Sequence, residues 1–544
     1  MVASFGIVLW LVAQVWVIQT AGFPSLIDAT IEEIKDGLEC GLFSSVDLVT
    51  AYLGRIAEVN ADLKAVTEVN PDALEIAAAL DDERAKGKIR GPLHGIPILI
   101  KNNIATKDKM NNTAGSFALL GAYPPRDSHI ASQLRAAGVV ILGKSNLSQW
   151  ANFRSSNSSN GWSAHGGQVH AAYIKNQDPS GSSSGSGVAA SLGLAAACLG
   201  SETDGSIISP SQRNNIVGIK PSVGLTSRDL VIPISEHQDT VGPMGRTVRD
   251  AATVLQAIAG PDPNDNYTSA IPGPLPDYLA ACKPDALIGA RLGIPANTIE
   301  LFQGFDNTSQ PEIDAFFAAS KILAMAGATI LPNANFTNLT EWANSTAENT
   351  VLNADFLVNL ASYLAKLATN PNNVHSLADV SRFTKEVMPG PEEYPSRDTA
   401  VWDQALDPVS GFNNTDPRFW PALQQDLFLG GEGGLFGALD RNKLDAIILP
   451  SSFSPGFAAI VGAPIVTVPM GFYPANASVV MNTRGDLVDT GPNVPFGLSF
   501  LGRRFDEAKL IGYAFAFEQM TQVRKNVLPV VIPKTEVKVR PRSL

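Results

Sequence analysis

A long run near the middle of the chain is built almost entirely from small side chains. Residues 179–210 read PSGSSSGSGVAASLGLAAACLGSETDGSIISP, two serine- and glycine-rich clusters on either side of an apolar stretch. A flexible linker of this composition would lack the apolar stretch, so we predict a folded segment. Small residues allow tight turns and a close approach of the backbone to a ligand, and they leave N–H groups free to face an anion. The run therefore predicts a site made from backbone turns.

Three common motifs fit this run poorly. Gly181–Gly185 matches the GxSxG turn of serine hydrolases, but that turn follows a hydrophobic strand, and Asp178-Pro179-Ser180 stands there instead. A GxGxxA pattern at Gly185–Ala190 lacks the same strand, so a dinucleotide site is not indicated. The closing GK[ST] of a P-loop is absent.

Composition narrows the possible functions. The chain has 544 residues, of which 45% are hydrophobic and 17% charged, with a formal net charge of −12. This apolar content excludes wholesale disorder, and the acidic balance argues against a nucleic-acid partner. Three cysteines cannot form a disulfide framework, and six scattered histidines without CxxC or HxxxH supply no metal site. We therefore predict no metal and no cofactor; the oligomeric state stays open.

The amino terminus resembles a secretory signal. The first 27 residues carry no charged side chain, and residues 5–18 are almost wholly apolar. A membrane-spanning helix needs about 20 apolar residues, and this stretch is shorter. We predict a signal peptide at 1–21 and a secreted glycoprotein without a membrane attachment after cleavage; the alternatives are a membrane anchor or a buried first helix.

N-glycosylation sequons agree with a secreted protein. Ten Asn-x-Ser/Thr sites occur, and Asn335, Asn338 and Asn344 form a cluster that predicts a solvated loop. Asn146 lies in a stretch predicted to be core, so we expect no glycan there. Whether Cys40 and Cys282 form a disulfide stays open.

Helix and strand patterns alternate along much of the chain. Residues 130–137 predict a helix closed by Gly138, and 139–142 predict a buried strand, with Ser145 as the cap of a following helix. Residues 314–332 repeat the order helix, glycine, strand. Further predicted elements are a strand at 445–449 and helices at 354–367 and 506–520. The alternation predicts an α/β fold with a mixed, mostly parallel central sheet covered by helices.

One region is harder to interpret. Residues 333–435 are rich in Asn, Pro and Gly, with helical islands between them. They predict an insertion or surface region, which could shape a substrate entrance or only cover the surface, and we favour the second interpretation.

Three separate segments resemble the amidase signature family, whose members hydrolyse amides with a Ser–cis-Ser–Lys triad. GPLHGIPILIKNNI at 91–104 is similar to the family's lysine strand, SGSSSGSG at 180–187 to its bridging-serine segment and GSETDGSIISP at 200–210 to its nucleophile loop. Looser similarity covers about 90–520, with the signature core at about 90–260. The resemblance implies one large α/β/α domain over 22–544, and it is closest to the peptide amidase branch, which removes C-terminal amides of peptides.

The resemblance implies a role for several residues. Lys101 is expected to be the base and Ser206 the nucleophile. Ser182 is expected to bridge them after a cis peptide bond. The expected oxyanion hole consists of the backbone N–H groups of Thr203, Asp204, Gly205 and Ser206.

Three further residues have less certain roles. Ser183 is expected to hydrogen-bond within the cluster without reacting. Arg154 could bind a substrate carbonyl or carboxylate, or be a structural ion-pair partner. Asn102 stands where Asp commonly follows the lysine, which leaves the partner of the lysine open.

The chemistry explains why these residue types are needed. A serine hydroxyl is too weakly acidic to attack an amide without a base, and a lysine is a base only when it is neutral. The apolar residues 96–100 before Lys101 provide burial that would lower its pKa. We predict hydrolysis of a primary carboxamide with release of ammonia, with peptide C-terminal amides as the favoured substrates. The alternatives are an amidase for small aliphatic or aryl amides, a non-catalytic protein and a transamidating protein.

Overall fold

Residues 23–305 and 309–540 are described by the computed structural model of the chain. The predicted signal peptide at 1–21 lies outside these ranges and stays a prediction. In the two ranges, no helix combines the length and the apolar character that a membrane span requires.

A single large sheet organises the chain. Its strands and two short ribbons, numbered along the chain, are β1 (Val66–Val69), β2 (Pro97–Lys101), β3 (Val140–Ser145), β4 (Trp162–Ser163), β5 (Gly167–Gln168), β6 (Ala197–Glu202), β7 (Val217–Lys220), β8 (Thr240–Gly245), β9 (Arg291–Gly293), β10 (Thr329–Leu331), β11 (Ala446–Pro450), β12 (Ile465–Phe472), β13 (Val480–Met481), β14 (Val488–Thr490) and β15 (Pro495–Leu501). The large sheet has eleven strands in the order β1-β3-β2-β6-β8-β7-β12-β15-β11-β9-β10. Strands β4 with β5, and β13 with β14, form the two ribbons.

The sheet is mixed, as predicted, but it is not mostly parallel. Strand β2 runs parallel to β3 and β6, and β9 runs parallel to β10 and β11. Between these two parallel groups, every neighbouring pair from β6 to β11 is antiparallel, and so is the β1–β3 pair at one edge. Strands covered on both faces are apolar whatever their direction, so the sequence pattern did not reveal the antiparallel centre.

Helices pack on this sheet. In chain order they are α1 (Ile31–Glu39), α2 (Ser45–Leu63), α3 (Ala73–Ala85), α4 (His129–Ala136), α5 (Ser184–Ser191), α6 (Ile208–Arg213), α7 (Val248–Ile258), α8 (Ala296–Phe305), α9 (Gln310–Met325), α10 (Leu339–Ala343), α11 (Ala347–Ala365), α12 (Leu377–Arg382), α13 (Ala400–Ala405), α14 (Phe419–Gly430), α15 (Leu435–Arg441), α16 (Pro455–Ala459) and α17 (Glu507–Thr521). The predicted helices at 130–137, 354–367 and 506–520 correspond to α4, α11 and α17.

Ser145 corrects one local prediction. It ends strand β3 and caps no helix, because Lys144 and Ser145 continue the pairing with β2. Its hydroxyl lies 2.7 Å from that of Ser186 in α5, so it joins this helix to the sheet.

The core joins the two halves of the chain. One large apolar cluster comes mainly from residues before 260 and another from residues after 208. Helix α7 supplies Leu255 to the second cluster and Val254 and Ile258 to the first. All three cysteines are unpaired. The side chain of Asn146 is fully buried, as predicted for a core residue, and the absence of a glycan there stays a prediction.

The stretch 333–435 is mostly helical and is not only a surface cover. Trp402 packs edge-to-face on Trp150 with ring centroids 5.8 Å apart, and Phe356 packs on Phe153 at 5.0 Å. These contacts place α11 and α13 against the segment that leads to the serine- and glycine-rich run. The domain boundaries drawn from the sequence stay a prediction.

The serine- and glycine-rich run depends on a close backbone contact at Gly185. Its N–H donates to Asn146 O at 2.9 Å. A Cβ at Gly185 would lie 2.6 Å from both Asn146 N and Asn146 O and still closer to Ala65 O. Because these are backbone atoms, no rotamer change relieves the overlap.

We therefore expect Gly185→Ala to lower the free energy of unfolding by about 3 kcal/mol, measured by urea denaturation. Gly304→Ala in α8 is the control, because nothing lies within 4 Å of its added methyl group. It should stabilise the helix by about 0.5–1 kcal/mol. Equal effects of the two changes would contradict the close contact at Gly185.

Candidate active site

Lys101 lies where two parallel strands end together. It is the last residue of β2, and all five residues of this strand are buried. Ile100 is paired with Leu199 of β6, so the carboxyl end of β2 lies beside the carboxyl end of β6. The sheet thus brings Lys101 next to the loop that follows Glu202.

The amine of Lys101 is completely enclosed. Its Nζ atom lies 2.7 Å from Ser182 Oγ and donates to Ser201 O at 3.0 Å. Burial lowers the pKa of Lys101 to about 7, and the nearby carboxylates of Glu202 and Asp239 oppose this shift. At neutral pH a large fraction of this lysine is therefore uncharged, as a base requires.

A backbone hydrogen bond holds the segment of Ser182 next to Ser206. The Gly181–Ser182 peptide bond is cis, in agreement with the expectation. The N–H of Ser183 donates to Ser206 O at 3.1 Å, which holds Ser182 beside the turn that carries Ser206. Ser206 is 6% exposed and Ser182 is fully buried, so only the former is open to a ligand.

Ser183 ties this segment to the sheet. Its hydroxyl donates to Ser201 O at 3.1 Å and accepts from Ser201 N at 3.3 Å. These bonds agree with the expected supporting position, and they leave the Ser183 hydroxyl turned towards β6.

Glu202 was missed by the sequence reasoning. Its Oε2 atom accepts from Ile207 N at 2.6 Å and from Ile208 N at 2.9 Å, which closes the turn around Ser206. Burial raises the pKa of Glu202, while Lys220 and the backbone N–H groups of Ile208, Ile207 and Gly205 oppose the rise. Glu202 and Asp204 are the only charged residues in 179–212, and this isolation is the signal that could have revealed them.

A second carboxylate fixes the other end of the turn. Asp239 Oδ1 accepts from Thr203 Oγ1 at 2.6 Å, and Asp239 Oδ2 accepts from Ile234 N at 2.8 Å. The loop before β8 is thereby attached to the loop after β6. Burial raises the pKa of Asp239, and these hydrogen bonds oppose that rise.

The four expected oxyanion-hole amides differ in their surroundings. The N–H of Gly205 faces the Glu202 carboxylate and helps to keep the pKa of that acid from rising further. In the part of the chain that the structure describes, the N–H groups of Thr203, Asp204, Gly205 and Ser206 donate no hydrogen bond to a protein acceptor. All four groups therefore remain for a ligand.

Asn102 does not act on the lysine. Its Oδ1 accepts from Thr113 N at 2.9 Å and from Thr113 Oγ1 at 2.7 Å. The acceptor that replaces an Asp partner for Lys101 is the carbonyl of Ser201.

Arg154 is a structural residue here. Its guanidinium donates to Glu392 Oε2 at 3.2 Å, to Glu392 O at 2.8 Å and to Arg397 O at 2.9 Å, and it also contacts Gln149. Arg154 is 2% exposed and Glu392 is fully buried. Of the two roles left open by the sequence, the structure supports the ion-pair partner.

One group of side chains among the described residues has the geometry for a metal ion. The ligand atoms of Glu236, His237 and Asp355 lie within 4.8 Å of one another. His237 Nδ1 is 2.7 Å from Asp355 Oδ2, which also accepts from Ser235 Oγ at 2.6 Å. These hydrogen bonds satisfy the carboxylate without an ion, and none of the expected catalytic residues belongs to this group.

Comparison with known proteins identifies the same signature. A family model described as Amidase matches residues 47–391. The chain is 53% identical over 542 residues to an Arthroderma benhamiae protein named as an amidase, covering 96% of this chain and 90% of that protein.

A solved structure shares the whole architecture. The chain is similar to the native peptide amidase from Stenotrophomonas maltophilia, with 39% identity and a TM-score of 0.81, covering 94% of this chain and all of that one. It is also 31% identical to a glutamyl-tRNA(Gln) amidotransferase component of Thermosynechococcus vestitus, covering 91% of this chain and 98% of that protein.

The buried pair of Arg154 and Glu392 yields a stability prediction. Glu392→Ala leaves the guanidinium buried without its carboxylate, so we expect the free energy of unfolding to fall by about 3 kcal/mol or more in urea denaturation. Asp440→Ala is the control, because Asp440 forms its ion pair with Arg503 at the surface, where Asp440 is 70% and Arg503 38% exposed. This change should cost less than about 1 kcal/mol. Similar losses would contradict the structural role of Glu392.

Proposed function

Because this chain belongs to the amidase family and is a hydrolase of carbon–nitrogen bonds, we propose that it hydrolyses a primary carboxamide through a seryl acyl-enzyme. The observation that carries the proposal is the buried contact of Lys101 Nζ with Ser182 Oγ at 2.7 Å, beside the turn of Ser206. A neutral lysine held against a serine hydroxyl is a base with a proton path.

The first step of the reaction forms a tetrahedral intermediate on Ser206. Neutral Lys101 takes the proton of Ser182 while Ser182 takes that of Ser206, and Ser206 Oγ bonds to the amide carbon. The carbonyl oxygen becomes an oxyanion, which the free N–H groups of residues 203–206 can stabilise. Loss of one such donor costs about 3 kcal/mol in other hydrolases.

The following steps release the products. Ser182 returns a proton to the amide nitrogen and is reprotonated by Lys101, so the C–N bond breaks, ammonia leaves and the acyl group stays bound to Ser206 as the acyl-enzyme. Water then loses a proton through the same path and attacks the acyl carbon. The carboxylic acid departs and Ser206 regains its proton.

For the substrate we propose the C-terminal amide of a peptide. The similarity to a peptide amidase at 39% identity over nearly the whole length supports this choice. An amidase for small aliphatic or aryl amides is the alternative, and ammonia release from a panel of peptide amides and simple amides separates the two. Absence of release from every amide would refute the proposed function.

The nucleophile can be tested directly. We expect Ser206→Ala to lower kcat/KM by about 10⁴-fold or more and to abolish covalent labelling by a fluorophosphonate, because Ser182, which contacts Lys101, is fully buried whereas Ser206 is open to a ligand. Ser209→Ala, three residues further on, is the control and should keep the label. Persistent labelling of Ser206→Ala would place the nucleophile elsewhere.

The pKa of Lys101 predicts whether kcat/KM rises or falls with pH. Since burial lowers the pKa of Lys101 to about 7, the lysine is protonated below this pH and neutral above it. We expect kcat/KM to rise with pH through a midpoint near 7. We expect Lys101→Ala to lower kcat/KM by about 10²–10⁴-fold.

A control is needed because burial also lowers the pKa of Lys144 to about 7. Lys144 donates to Ile104 O at 2.6 Å and to Asn112 Oδ1 at 2.7 Å, away from both serines. The folded variant Lys144→Met should keep the rise of kcat/KM near pH 7. If this rise disappears in the variant, Lys144 and not Lys101 produces it.

A further inference from the structure

Three carboxyl groups that the reaction does not use lie beside the nucleophile turn. Asp204 precedes Ser206 by two residues, Glu348 is in the first turn of α11 and Asp426 is in α14. Helices α11 and α14 pack on each other. The charge of Glu348 acts on Asp204, and the charge of Asp426 acts on Glu348, so the three groups form one acidic cluster.

Solvent reaches the side chains of two of these acids, so a ligand can reach them too. Asp204 is exposed and Glu348 is half-buried. Glu348 receives one hydrogen bond, from Gln238 Nε2 to Oε1 at 2.8 Å. Asp426 is 2% exposed, and its Oδ2 atom is buried without a hydrogen-bond partner among the described residues. The cluster therefore has unused acceptor atoms, and we call the space beside Asp204 and Glu348 the recess.

An aromatic ring forms the other wall of this recess. A Cβ at Gly456 would lie 2.8 Å from Trp342 Cζ2 and 3.8 Å from Asp204 Oδ2, so the indole ring and the carboxylate meet above this glycine. Trp342 is held in place by Phe457, whose ring centroid is 4.2 Å away. Carboxylates next to an aromatic face are the groups that bind organic cations in proteins.

The protein itself supplies little positive charge here. Lys220 acts on Asp204, but its Nζ donates to Ala463 O at 2.5 Å, and burial lowers its pKa to about 8. Burial raises the pKa of Glu348 and of Asp426 to about 7, and each acid is without a basic partner among the described residues. A cationic ligand would provide the missing counter-charge.

We propose that this recess, formed by Asp204, Glu348, Asp426 and Trp342, binds a positive charge on the acyl part of the substrate. The preferred substrates are then carboxamides that bear an ammonium or guanidinium group. The α carbons of Asp204 and Ser206 are at most about 7.6 Å apart, within reach of a basic side chain or a free α-amino group. The inference rests on the proposed function, because the recess selects substrates only if Ser206 is the nucleophile.

The test compares substrates that differ in charge but not in shape. Ammonia release is measured at pH 8 from N-acetyl-lysine amide, N-acetyl-norleucine amide and N,N,N-trimethyl-norleucine amide, whose quaternary ammonium group stays charged at every pH. We expect kcat/KM for at least one cationic amide to exceed that for the neutral amide by about tenfold or more. The first cation probes the side chain and the second the α-amino group.

The variant Glu348→Gln keeps the shape of the side chain and removes its charge. We expect the cationic-to-neutral ratio of kcat/KM to fall by about tenfold. Glu75→Gln in α3, an exposed acid on a helix that takes no part in the recess, is the control and should keep the ratio of the unchanged protein. Fluorophosphonate labelling checks that each variant is folded.

A second measurement does not depend on any variant. Butylammonium should inhibit hydrolysis of the neutral amide competitively, and butanol at the same concentration should not. Hydrolysis of all three amides at equal kcat/KM, or equal inhibition by the two compounds, would overturn the inference and leave the proposed function intact. Failure to release ammonia from any amide would instead overturn the proposed function.

Discussion

The contact of Lys101 with Ser182 depends on the exclusion of water from the end of strand β2. A lysine amine in water has a pKa near 10.4 and is useless as a base at neutral pH. Here the strand, its neighbour β6 and the serine- and glycine-rich run enclose the amine, and its pKa falls to about 7. The close packing of Gly185 on Asn146 holds this run against the residue that follows Ser145, the partner of Lys101 on strand β3.

The same exclusion of water disfavours the charged forms of the acids nearby. Glu202 is buried and Asp239 is half-buried, but each accepts backbone hydrogen bonds, and these bonds shape the turn around Ser206. Asp204, Glu348 and Asp426 have almost no such partners. Within one site, carboxylates with partners therefore build the turn, whereas carboxylates without partners face the recess and can bind a cation.

Much of the site was predictable because it follows from local patterns. The lysine strand, the bridging serine and the nucleophile loop each occupy a short segment, and the structure brings Lys101, Ser182 and the turn of Ser206 together. The helices near 130 and 506 were recognisable from their apolar periodicity. The strand directions were not, because a strand buried on both faces has the same composition in a parallel or an antiparallel pair.

By itself, the sequence determined which chemical groups the chain contains and which short segments carry them: a lysine after an apolar strand, two serines in turns of small residues, and no metal-binding pattern. Only the tertiary structure decided what those groups can do. Residues far apart in the chain, such as Lys101 and Ser182, meet only when the run of small residues packs on the sheet. A pKa depends on the removal of water from every side, and no local pattern contains that information.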